Sequence, residues 1–174
     1  MSILKGKNVL ITGATSGIGK AAAVKFAENN SNLILIGRRK DRLAELSDQL
    51  VSDYKIKVEF IQADVRDYKS LSRIIESQSE LFKNTDILIN NAGLARGFSH
   101  ISGGDISDWD EMIDTNIKGL LYVSRCIVPF MIKNNSGHVI NIGSIAGREV
   151  YPNGNVYCAT KHAVDAITKG LRME

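Results

Sequence analysis

Five short runs of almost unbroken apolar residues punctuate the chain: Val9 to Thr12, Leu33 to Gly37, Val58 to Gln62, Ile87 to Asn90 and Val139 to Ile142. Each has the length of a strand. The scarcity of polar alternation within them is expected of parallel strands covered on both faces. Between the runs, apolar positions recur with a helical period, which predicts helices over about 18–29, 40–52, 68–82, 107–133 and 156–172. In the second of these, Leu43, Leu46 and Leu50 share one face, and charged residues fill the other. Strand and helix alternate throughout. With right-handed crossovers this order leads to an α/β fold, a doubly wound parallel sheet whose ligands sit beyond the carboxyl ends of the strands.

The 174 residues fit a single domain, 1–174, with no repeat, low-complexity stretch or linker. A content of 44% hydrophobic and 24% charged residues is that of a packed globular chain. Its net charge of +3 is small and mixed along the chain, so no nucleic-acid partner is implied. Cys126 and Cys158 stand alone without CxxC spacing, and the N-terminus has no secretory apolar region. The longest apolar stretch, Gly119 to Ile132, is broken by Arg125 and Pro129 and is shorter than the roughly 20 residues of a membrane span. These features predict a cytoplasmic protein with reduced thiols, no membrane contact and a small-molecule substrate.

The strongest motif follows the first strand, where Gly13-Ala14-Thr15-Ser16-Gly17-Ile18-Gly19 leads into a helix. Glycines at these spacings allow a tight turn, close approach of backbone to a pyrophosphate, and close helix packing. The free N–H groups of the helix start attract the phosphates. A dinucleotide fits that description, whereas a Walker loop would need a Gly-Lys-Ser/Thr that is absent. About 20 residues on, an acid would bind the ribose 2′-hydroxyl of NAD, and arginine would accommodate the 2′-phosphate of NADP. The second strand ends in Arg38 and Arg39 with no carboxylate, which favours NADP. Asp64 and Val65 close the third strand and Asn91, Ala92 and Gly93 follow the fourth, all at the edge where the cofactor would lie. Taken alone, each of these is as readily a cap or turn as a ligand contact.

Tyr157 and Lys161 stand four apart on one helix face, preceded by Ser144 after the fifth strand. An ammonium held beside a phenol favours the phenolate and equips such a tyrosine for proton transfer near neutral pH. A serine hydroxyl can polarise a carbonyl by hydrogen bonding while a nicotinamide exchanges hydride. A Tyr-x-x-x-Lys pair by itself says little. Its place after a serine-ended strand in a dinucleotide fold is what gives it weight.

Taken together, Thr12-Gly-Ala-Thr-Ser-Gly-Ile-Gly19, Asn90-Asn-Ala-Gly93, Ser144 and Tyr157-x-x-x-Lys161 resemble the short-chain dehydrogenase/reductase family, over essentially the whole chain. The resemblance implies a Rossmann-like sheet, NAD(P)-dependent interconversion of an alcohol and a carbonyl, and a catalytic set of Asn116, Ser144, Tyr157 and Lys161. Asn116 enters through the resemblance alone, in a water relay to the lysine. The cofactor contacts it implies include Tyr157 and Lys161, and the substrate contacts are Ser144 and Tyr157. The stretch Ile142 to Tyr157 looks like the NADP-dependent branch acting on 3-hydroxy acids such as serine or 3-hydroxypropionate. Arg148 offers charge for a substrate carboxylate, but an arginine so placed is more often a surface residue. The helices at about 107–133 and 156–172 resemble those that pair subunits in the family, which implies a homodimer or homotetramer. Family members usually continue beyond the Tyr-Lys helix into further strands and a substrate loop, so the sequence is expected to be truncated within that helix. Two alternatives stay open: a catalytically silent dinucleotide-binding module, and an NAD(P)-linked reductase of another substrate class.

Overall fold

Successive strand residues point to opposite faces of a sheet, and in the three central strands both faces are apolar and buried. Val9, Ile11, Leu33, Leu35, Ile87 and Ile89 join one buried cluster, while Leu10, Ile34, Ile36 and Leu88 join the other. The computed structural model, which describes residues 2–174, contains five strands: β1 (Asn8–Thr12), β2 (Asn32–Gly37), β3 (Val58–Gln62), β4 (Ile87–Asn90) and β5 (His138–Asn141), of which the edge strands β3 and β5 are only partly covered. All pairings are parallel, in the order β3-β2-β1-β4-β5. This is the doubly wound, Rossmann-like arrangement, with its topological switch between β1 and β4.

Helices α1 (Gly17–Glu28) and α2 (Lys40–Tyr54) cover the first face, with Ala23, Ala27, Leu43, Leu46 and Leu50 buried against it. On the opposite face, α3 (Tyr68–Ser77) contributes Leu71 and Ile75, and the single turn α4 (Ser79–Phe82) contributes Phe82. The helix expected over 68–82 is thus broken at Gln78.

The long helix expected over 107–133 is likewise not uniform. It consists of α5 (Ile106–Ile113), a π-helical segment Asp114–Gly119, and α6 (Leu120–Lys133), which adds Val123, Ile127 and Met131 to the second cluster. Hydrophobic period alone cannot reveal the wider turn, because one extra residue per turn shifts the register only locally. Helix α7 (Asn155–Met173) closes the described chain. The fifth strand was expected to include Ile142, and that residue continues the ladder in practice: its N–H donates to the Asn90 carbonyl at 3.0 Å.

Candidate active site

The switch point is held by Thr12 and Asn91. The Thr12 hydroxyl accepts from the N–H groups of Asn91 and Ala92 at 3.1 and 3.0 Å. The Asn91 carboxamide donates to the carbonyls of Thr12 and Gly13 at 2.9 and 3.2 Å. These bonds fasten the end of β4 to the glycine turn, so Asn91 serves the site by shaping it. Thr12 opens the glycine motif in the sequence, but its bonding role was not legible there, because a hydroxyl at the end of an apolar strand has no distinctive spacing.

Beyond the strand ends opens a cleft of about 740 Å³. It is lined by Gly13, Thr15, Ser16, Gly17 and Ile18 from the glycine turn and by Arg38 and Arg39 from the end of β2. Asp64 and Val65, then Asn91 to Gly93, and finally Tyr157 and Lys161 complete the predicted set on its walls. Gly19, Asn116 and Ser144 are not on that lining. Gly19 packs behind it, where an added Cβ would lie 2.4 Å from both the Gly13 carbonyl oxygen and Asn91 Nδ2. Gly17 is needed for another reason: its φ of +53° is left-handed, and the space beside it is open.

The two arginines have different surroundings. Arg39 Nη2 donates to Thr15 Oγ1 at 2.7 Å and to Ser16 Oγ at 3.1 Å, which draws a guanidinium and two hydroxyls together on the glycine turn. Arg38 Nη1 lies 3.7 Å from Glu111 and 4.0 Å from Asp64. Asp64 itself is gripped by the Arg66 guanidinium and backbone N–H at 2.7 to 3.0 Å. Burial works against the Asp64 charge, but the Arg66 hydrogen bonds and the nearby guanidinium groups outweigh it and hold the carboxyl below its ordinary value of 3.8.

Tyr157 and Lys161 stand on the first two turns of α7, with the Lys161 ammonium 5.9 Å from the Tyr157 ring centre. Lys161 is buried, and its Nζ donates to the Ile142 carbonyl at 2.8 Å. Burial pushes this ammonium below its ordinary value of 10.5. Ser144 Oγ accepts from the Ala146 N–H at 3.2 Å. Because that bond uses a lone pair, the hydroxyl proton is left available to a further acceptor.

Asn116, on the π-helical segment, is 2% exposed and fully engaged. Its Nδ2 donates to the Leu94 carbonyl at 2.8 Å and to Thr160 Oγ1 at 3.0 Å, and its Oδ1 accepts from the Leu94 N–H at 2.9 Å. Thr160 Oγ1 in turn donates to the Tyr157 carbonyl. Asn116 therefore ties the segment after β4 to the helix bearing Tyr157 and Lys161. A Cβ added to Gly93 would sit 3.1 Å from Asn116 Oδ1 and 3.7 Å from Lys161 Nζ, which places the three groups side by side. Arg148, by contrast, pairs with Asp165 at 3.6 Å on an exposed face. Arg66, Glu111 and Thr160 are parts of the site that no sequence motif singled out.

No helix among the described residues is long and apolar enough to cross a membrane. Residues 7–174 match the short chain dehydrogenase family. An NADP-dependent 3-hydroxy acid dehydrogenase of Schizosaccharomyces pombe is 44% identical over 175 residues, covering 100% of this chain and 68% of that protein. Sulfoacetaldehyde reductase 2 of Chromohalobacter salexigens is 44% identical over 167 residues, covering 95% of this chain and 66% of that protein. Among solved structures, the closed form of serine dehydrogenase complexed with NADP+ is 43% identical with a TM-score of 0.89, over 95% of this chain and 65% of that one. The chain spans about two thirds of the length of these relatives. With a matching profile over nearly all of its residues and the expected doubly wound parallel sheet, the chain belongs to the short chain dehydrogenase family.

Proposed function

We propose that this chain is the NADP(H)-binding and catalytic portion of an oxidoreductase that interconverts an alcohol and a carbonyl, with a 3-hydroxy acid such as serine or 3-hydroxypropionate as substrate. The observation that carries the reading is the convergence of the glycine turn, the Arg38–Arg39 pair and the Tyr157–Lys161 pair on one cleft. The open space beside Gly17, and the Arg39 guanidinium drawn onto Thr15 and Ser16, fit the phosphates of the cofactor. When bound, the nicotinamide would supply or accept the hydride.

Tyr157 gives its proton to the carbonyl oxygen in reduction and takes it back from the alcohol in oxidation. Lys161, a buried cation beside the ring, presents N–H donors to the cofactor ribose. Ser144 turns its free hydroxyl proton to the substrate oxygen, since the Ala146 N–H already occupies one of its lone pairs. Asn116 acts through its bonds to Leu94 and Thr160 by holding both sides of the site in register.

The same reading places the protein in the cytoplasm, as a homodimer or homotetramer built on one cofactor-binding domain. Free thiols at Cys126 and Cys158 suit a reducing compartment. Exposed Ile106, Ile113 and Leu121 on α5 and α6 suit a subunit contact.

Fluorescence titration with NADPH and NADH tests the proposal. NADPH is expected to bind at least about tenfold tighter, a difference of about 1.4 kcal/mol. Tyr157→Phe is expected to abolish turnover of 3-hydroxy acids while sparing NADPH affinity. Equal affinity for both cofactors removes the NADP assignment, and undiminished turnover in Tyr157→Phe removes the role of the tyrosine.

A further inference from the structure

Arginines from three successive strand ends converge on one carboxylate, that of Glu111 on α5. Arg96 Nε, from the segment after β4, donates to Glu111 Oε2 at 3.0 Å. Arg66 Nη1, after β3, reaches Oε1 at 3.4 Å, and Arg38 Nη1, after β2, approaches the same oxygen to 3.7 Å. Glu111 is mostly buried, whereas Arg38 and Arg96 are each half exposed and line the cofactor cleft. Glu111 stands one helical turn before Thr115, which also lines that cleft.

The contacts differ in strength. Arg96 and Arg66 make hydrogen bonds to Glu111, but the Arg38 contact is a longer, looser ion pair. A half-exposed pair of this kind is readily exchanged. Arg38 is also a proposed partner of the cofactor 2′-phosphate, which carries more charge than a carboxylate and accepts a guanidinium fork equally well.

We propose that Glu111 is a positioning residue for cofactor selectivity: its carboxylate competes with the 2′-phosphate for Arg38, and so moderates the preference for NADP over NAD. Binding NADP makes Arg38 exchange a carboxylate partner for a phosphate. Binding NAD leaves Arg38 with Glu111 and Asp64. The proposal rests on the NADP reading given above.

The test is to measure the dissociation constants of NADP+ and NAD+ for the wild type, Glu111→Gln and Glu111→Ala. Both substitutions remove the charge, and glutamine keeps the side-chain length and an acceptor for Arg96. The expected result is NADP+ binding tightened about threefold in both variants, with NAD+ binding unchanged. An unchanged or weakened NADP+ affinity overturns the proposal, as does an equal change for the two cofactors, which a purely structural role would produce. A wild type with no preference between the cofactors instead removes the NADP reading itself, so the two failures are distinguishable. Melting temperatures of the variants establish that the comparison is between folded proteins.

Discussion

At Asp64 three influences meet in one carboxyl group: burial opposes its charge, Arg66 grips it through two side-chain nitrogens and a backbone N–H, and Arg38 stands nearby. The net effect is a folded-state value below the ordinary 3.8. A depressed carboxyl contributes stability that is fully present above its unfolded value and is lost as the pH falls through the folded value. Asp64→Asn is therefore expected to destabilise the protein at neutral pH by on the order of 1 kcal/mol or less, given the partial exposure of the pair. The deficit should vanish on acidification through and below pH 3.8. Urea titrations of both proteins across that range check this, and a deficit independent of pH would assign the effect to packing. The residue was legible as a strand-end acid, but its partner Arg66 was not, because a guanidinium two residues away has no fixed direction until the backbone turns.

The β1–α1 turn shows how two glycines of one motif do different work. Adding a methyl group at Gly19 forces it into backbone and an amide at 2.4 Å, so Gly19→Ala is expected to cost about 1–3 kcal/mol of stability, read from the urea midpoint. At Gly17 there is room for the methyl group but the backbone is left-handed, so Gly17→Ala costs roughly 1–2 kcal/mol of strain. Gly17 also lines the cofactor cleft. Gly17→Ala is thus expected to weaken NADPH binding at least about tenfold in titration, whatever its effect on stability. Gly19→Ala should leave the affinity of the folded fraction closer to that of the wild type. The π-helical segment at Asp114–Gly119 belongs to the same scale. Sequence period predicted a helix there and the helix exists, but the wider turn that aims Asn116 at Leu94 and Thr160 was invisible, since it depends on what the segment packs against.

In the molecule as a whole, the cleft lies where the two halves of the sheet diverge, so a ligand bound there touches both. NADPH at a hundred times its dissociation constant is expected to stabilise the fold by about 2.7 kcal/mol. NADH at the same concentration should do less, by up to about 1.4 kcal/mol if it binds tenfold more weakly. Thermal melts with each cofactor check both figures, and equal shifts would contradict the proposed selectivity. Calorimetry should show one cooperative transition if residues 1–174 act as one domain, and two resolved transitions would contradict that.

Much was determined by the sequence alone: the five strands, their parallel pairing in a doubly wound sheet, and the glycine turn. Both faces of the central strands had to be buried, and apolar runs of strand length separated by helical periods allow few other solutions. The pairing of Tyr157 with Lys161 was equally local, a matter of spacing on one helix. What only the tertiary structure decided is which side chains meet across segments: Thr12 with Asn91 and Ala92, Asn116 with Leu94 and Thr160, Lys161 with Ile142, and three arginines with Glu111. These contacts join residues far apart in the chain, and their geometry follows from packing, which no local period or motif spacing encodes.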